Sequence, residues 1–175
     1  MKLKNISIGA ASLLLVVVAA FPQAAFAKDV KMNLRFAGAF VTNSLPSALI
    51  HATGVGSPGR VEIRGYGGID EFVGFVLECL GTPGPHIQID IVENPLLFRF
   101  QDLSLLFAKK GNGTICINTT DGSIRFVINI EFDGGRGRYA GATGSAVITG
   151  EAEALDSNGT FLAETGTIVG TIIVP

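Results

Sequence analysis

Apolar and polar residues alternate with period two along most of the chain beyond residue 27, the pattern of strands with one buried face. In residues 30–40, Val30, Met32, Leu34 and Phe36 fall on one side and Lys31, Asn33 and Arg35 on the other. The cleanest run is 123–132, with Ile124, Phe126, Ile128, Ile130 and Phe132 opposite Ser123, Arg125, Val127, Asn129 and Glu131. Residues 144–154 alternate again, and 160–174 read as the last strand, with Gly166 and Gly170 as expected bends. Further strands are predicted over 48–56, 60–64, 72–80, 86–92 and 114–118. Turns are expected at 43–46, 57–59 and 93–95, and as hairpins at Asp121-Gly122 and Asn158-Gly159. The stretch 65–68 reads as irregular, 109–113 as a hairpin loop, and 81–85 as a hard stop, because proline lacks a ladder donor. Residues 96–108 suit two readings, a strand carrying Phe98 and Phe100 or a short helix at 101–107. In the strand reading Arg99 points away from both rings.

The tally is eight or nine strands with almost no helix, an all-β chain. Curved, glycine-dotted strands of this kind close into a barrel, which removes exposed edges. The expected architecture is therefore an antiparallel, eight-stranded closed barrel whose interior and exterior residues alternate. The glycine-dense stretch 134–150 reads as a turn leading into a bent strand, with Gly141 bending it against the core. Ten of the 12 phenylalanines follow the N-terminal apolar segment and suit a filled or partly filled interior.

That N-terminal segment is set apart. Lys2 and Lys4 precede an apolar run at 6–21, and Ala25-Phe26-Ala27 has the small residues of a signal-peptidase site. Residues 1–27 read as a secretory signal peptide and 28–175 as one β-barrel domain. The apolar run is shorter than the roughly 20 residues that span a bilayer, so no membrane insertion is expected after cleavage and the mature chain is placed outside the cytoplasm, periplasmic or extracellular. Loss of Lys2 and Lys4 leaves 11 of the 13 Lys/Arg against 15 Asp/Glu, a net charge near −4. With no basic cluster beyond Lys109-Lys110, nucleic acid is not an expected partner.

Cys79 and Cys116 are the two cysteines, each in a β-like run. In an exported chain they are expected to form a disulfide, two buried free thiols being the alternative. Candidate chemistry is sparse. His51 and His86 have no third partner at metal-ligand spacing, so no metal and no cofactor are expected. Asp70-Glu71 and Asp90 with Glu93 are acidic pairs that solvated turns explain. Gly135-x-Gly137 opens a strand rather than a helix and is no dinucleotide fingerprint. Arg136 and Arg138 flank Gly137 and are anion-binding candidates at the barrel rim; Tyr66 and Tyr139 are the candidate polar groups for a pocket. Asn112, Asn118 and Asn158 each begin an Asn-x-Thr acceptor pattern.

The stretch from Phe132-Asp133-Gly134-Gly135-Arg136-Gly137-Arg138-Tyr139-Ala140-Gly141-Ala142 to Ser145, then Gly150 and Gly166-Thr167-Ile168, resembles the allene oxide cyclase and dirigent barrel group, in particular its small exported bacterial members. The resemblance covers about Gly111 to Ile173; Arg136 stands where that group usually has Thr, and Tyr139 where it has Phe. It implies an eight-stranded antiparallel barrel, often oligomeric, with a pocket at one mouth or along the axis. Members of the group rearrange fatty-acid epoxides, steer phenolic radical coupling or cyclise polyketides, and no catalytic residue of theirs matches a position here. Two functions follow as expectations. One is an exported barrel that binds a small apolar or aromatic molecule, or serves a structural or interaction role, without catalysis. The other is a cyclase or dirigent-like enzyme that works by holding a reactive apolar substrate in shape. An open cavity with a few polar groups favours the second; an interior plugged by phenylalanine favours a structural role.

Overall fold

A computed structural model describes residues 27–44 and 47–175. The signal-peptide segment up to residue 26, and Leu45-Pro46 in the first expected turn, lie outside the described residues. The described chain is all-β: β1 (Lys28–Ser44), β2 (Ser47–Ser57), β3 (Val61–Cys79), β4 (Thr82–Glu93), β5 (Leu96–Phe100), β6 (Leu105–Asn118), β7 (Ile124–Arg136), β8 (Thr143–Ala154) and β9 (Phe161–Val174). A single 3-10 turn, Gly137–Tyr139, separates β7 from β8. No helix among the described residues is long and apolar enough to cross a membrane.

All pairings are antiparallel, and they run round in a ring: β1 with β9, β9 with β8, β8 with β7, β7 with β6, and β2 with both β1 and β3. Between β3 and β6 the ring is filled by two strands laid end to end. The first part of β3 pairs with β5 and the rest with β4; β6 meets β5 over 105–108 and β4 over 113–118. β4 and β5 thus follow one another along β3, because the chain breaks at Asn94-Pro95 and then resumes pairing with β3 as β5.

Three local expectations are corrected. Residues 65–68 are not irregular: Gly65 and Gly67 face inward within β3, paired to Ile50 and Ala48 on β2, so the strands expected at 60–64 and 72–80 are one. Residues 109–113 are not a loop but the middle of β6, where bulges around Ala108 re-aim the strand from β5 to β4. The stop at 81–85 is confined to Leu80-Gly81, both with positive φ, and β4 already begins at Thr82. Pro83 and Pro85 are carried on the hairpin arm, where β4 has not yet met β6. The helix alternative at 101–107 is not formed. Gln101 to Ser104 is a tight turn in which the Leu103 amide donates to Phe100 O at 3.0 Å and the Phe100 amide to Ser104 O at 2.9 Å. Arg99 is exposed between the buried Phe98 and Phe100, as the strand reading requires.

The inward face is apolar, but the two ends of the ring differ. At one end Met32, Leu34, Val61, Phe98, Phe100, Leu106, Phe132 and Ile172 are fully or almost fully buried in one cluster. Phe98 and Phe132 meet edge to face, with centroids 5.9 Å apart. Tyr139 plugs this end against Phe100, and the Arg138 guanidinium covers both rings at 4.8–4.9 Å while pairing with Asp102 at 3.3 Å. The other end is hollow. Cys79 and Cys116 are joined by a disulfide that ties the tip of the β3–β4 hairpin to the outward register of β6, with Cα atoms 5.9 Å apart.

Candidate functional site

The hollow end encloses a cavity of about 440 Å³. Its wall is built by the inward registers of β4, β6, β7 and β9: Ile89 and Ile91, Ile115 and Ile117, Ile124, Phe126 and Ile128, and Leu162. Phe40 and Ile50 close it from β1 and β2. A second void of about 30 Å³ lies where this cavity meets the packed end, bounded by Phe36, Ala52, Ile63, Ile148 and Ile168. A larger hollow of about 700 Å³ sits on the outer surface of β6–β9, lined by outward-facing groups such as Lys109, Asn129, Glu131 and Thr171. It is a concavity of the solvated face and does not enclose a ligand, so the interior cavity is the candidate site.

Two polar residues mark the floor, since Asn94 and Glu164 line both the cavity and the small void. Glu164 occupies an inward position of β9, in the series Leu162, Glu164, Gly166, Ile168, Gly170, Ile172, and is paired across the sheet with Gly38 and Ala152. It is 8% exposed, and no ion pair or hydrogen bond reaches it among the described residues. Burial alone pushes its carboxyl up to about 7. Among the described residues it is the only titratable side chain lining the cavity.

Asn94 sits at the break between β4 and β5 and is 1% exposed. Its Oδ1 is buried with no hydrogen-bond partner among the described residues, a state that costs about 1–3 kcal/mol when nothing satisfies it. Gly111 makes room for it, since a Cβ there would lie 2.9 Å from Asn94 Cβ; Gly67 borders it more loosely, its Cβ position 3.9 Å from Asn94 Oδ1. The remaining polar linings are Thr42, whose hydroxyl already donates to Gly159 O at 3.1 Å, and Asn158 at the exposed mouth.

Of the residues singled out in the sequence for binding or metal chemistry, Tyr66, Tyr139, Arg136, Arg138, His51 and His86 all lie away from this cavity's lining. Tyr66 is 45% exposed on the outer face, between the inward Gly65 and Gly67. Tyr139 and Arg138 belong to the plug at the packed end; burial raises the Tyr139 hydroxyl above its ordinary pKa. Arg136 is exposed at the end of β7. His51 stands on the outer surface with Nε2 3.3 Å from Glu62, which also pairs with Arg64 at 2.6 Å and Arg99 at 3.5 Å. The Arg64 hydrogen bond leads the effects that hold Glu62 below the usual carboxylate range. His86 is buried, its Nδ1 donating to Gly84 O at 2.9 Å. Asp90 accepts from Gln88 at 3.2 Å and from Thr114 at 3.1 Å, away from the exposed Glu93. The side chains of Asp70 and Glu71 lie outside the described residues. Among the described residues no group of three His, Cys, Asp or Glu side chains is placed to hold a metal.

Both floor residues went unread in the sequence. For Glu164 the signal was weak, because β9 carries large apolar residues on its outward register too, Phe161, Val169 and Ile173, so that its alternation does not single out one face. Asn94 carried none, since Glu-Asn-Pro is an ordinary turn sequence. Comparison with family models, curated proteins and solved structures gives no match, so the functional reading rests on this geometry.

Proposed function

We propose that this chain is an exported barrel of the allene oxide cyclase and dirigent type that binds a small apolar molecule in its interior. The observation that carries the reading is the 440 Å³ apolar cavity with Asn94 and Glu164 at its floor. The ring of pairings, with β4 and β5 sharing one place, supports the eight-stranded closed form. The disulfide supports export, because such bonds persist in oxidising compartments. The rim is consistent with apolar entry: Phe72 and Phe75 are opposite Ile89 and Ile87 in register, hence on the cavity side of the hairpin, and are 62% and 78% exposed.

The buried acid favours a second reading, in which the bound molecule is also transformed. A carboxyl with a pKa near neutrality in an apolar site is suited to giving or taking a proton while the walls hold the substrate folded. Binding is tested by titrating the mature protein with a neutral naphthalene-type fluorescent probe and by mass spectrometry of organic extracts from protein purified out of the exported fraction. Saturable binding of one probe per chain is expected. No probe binding and no co-purified molecule would remove the ligand-binding reading.

A further inference from the structure

We propose that the cavity takes a neutral apolar alcohol or phenol, whose hydroxyl donates to Asn94 Oδ1 at the floor while its hydrocarbon body fills the space toward the mouth. This deepens the proposed ligand-binding reading and rests on it.

The argument is one of complementarity. Thr42 is committed to the backbone of the β8–β9 turn and Asn158 lies at the mouth, so a ligand reaching the floor meets Asn94 and Glu164. Asn94 Oδ1 is an acceptor, fully buried and without a partner among the described residues. The seat is built rather than incidental, since a side chain at position 111 would displace Asn94. Glu164 supplies a second acceptor beside the same 30 Å³ void, a space about the size that one hydroxyl or water oxygen needs. An acceptor pair of this kind calls for a donor. A ligand carboxylate, phosphate or sulfate brings only acceptors, meets no Lys, Arg or His among the lining residues, and faces Glu164 instead. An ether fills the same volume but leaves Asn94 Oδ1 unmet. A hydroxyl has one hydrogen to give and lone pairs to receive, so it donates to Asn94 Oδ1 and accepts from Glu164 in its protonated form.

The test is calorimetry on the mature protein at about pH 7 with four probes sharing one ring system: 2-naphthol, 2-methoxynaphthalene, 2-naphthoate and 2-naphthylmethylamine. The expected order places 2-naphthol roughly tenfold tighter than its methyl ether, the difference one well-placed hydrogen bond makes, with naphthoate weakest. In Asn94→Leu the naphthol-to-ether ratio is expected to fall to about twofold or less. The wild-type series decides the matter even where that variant does not fold. Equal binding of naphthol and ether in the wild type overturns the hydroxyl inference while leaving cavity binding intact. Naphthoate or naphthylmethylamine binding tightest overturns it in favour of an ionic ligand. Failure of all four to bind takes down the ligand-binding reading itself.

Discussion

Glu164 gives the molecule a pH dependence whose sign follows from its position. Its carboxyl is raised to about 7 in the folded chain against an ordinary value of 4.5, so the folded state holds the proton more tightly than the unfolded state. Stability is therefore greatest below the unfolded value and falls as pH rises through the folded one. The loss should approach about 3 kcal/mol between roughly pH 4.5 and 7 and then level off. Denaturant titrations at stepped pH will read it. Glu164→Gln, which cannot ionise, should flatten that slope and exceed the wild type in stability at about pH 8; an unchanged slope would assign the dependence to another group. Glu62 does not interfere, because its depressed pKa places its titration below this window.

At the level of the element, two features of the chain receive a different cause from the one the pattern suggests. Gly141 was expected to bend a strand against the core. It lies instead in the exposed turn after the 3-10 segment with φ +70°, and a Cβ there would meet only Pro175 Cγ, at 3.2 Å. Gly141→Val should still cost about 1–3 kcal/mol, because a β-branched residue resists positive φ. Gly141→Asn, which tolerates that conformation, should cost clearly less. Equal losses in thermal melts would point back to packing. The β3–β4 hairpin depends on its staple. Beyond Gly68, β3 has β4 on one side and no pairing to β2 on the other. The Cys79–Cys116 bond closes a separation of 37 residues and should contribute roughly 3–4 kcal/mol on the loop-entropy view. The double Cys→Ser variant should show that loss in its denaturation midpoint. Intact mass should rise by about 2 Da on reduction of the exported protein, the two hydrogens a disulfide lacks; no change would mean free thiols.

The whole molecule is a ring with one end packed and one end hollow, and the hollow depends on the absence of a side chain at Gly67. A Cβ there would sit 3.6 Å from Phe40 Cε2 and 3.8 Å from Ile50 Cδ1, ordinary contact distances, and the backbone there is not of the kind that needs glycine. Gly67→Leu should therefore fold, project into the cavity and weaken apolar probe binding by about tenfold or more. Its thermal stability should be unchanged or raised, since glycine weakens a strand. Full probe affinity in a folded Gly67→Leu protein would place binding elsewhere, with the exposed hairpin face carrying Phe72 and Phe75 the next surface to test.

Period-two alternation determined the all-β class and the faces of β1 and β7, because which side a residue takes within one strand is a local property of the pleat; the registers between strands came only with the structure. The Asp-Gly and Asn-Gly turns and the disulfide pair were legible for the same reason: each is written in adjacent residues or in a pair with few alternatives. Glycine defeated that reading at 65–68 and 109–113. With no side chain it shows no face, and at Gly65, Gly111 and Gly113 its role is to admit Leu96, Asn94 and the backbone of β7, partners that no local pattern names. The cavity itself belongs wholly to the tertiary structure. Whether an inward face is filled depends on the summed volumes of side chains from strands all round the ring, and Asn94 and Glu164 come to line one cavity only through pairings between distant parts of the chain.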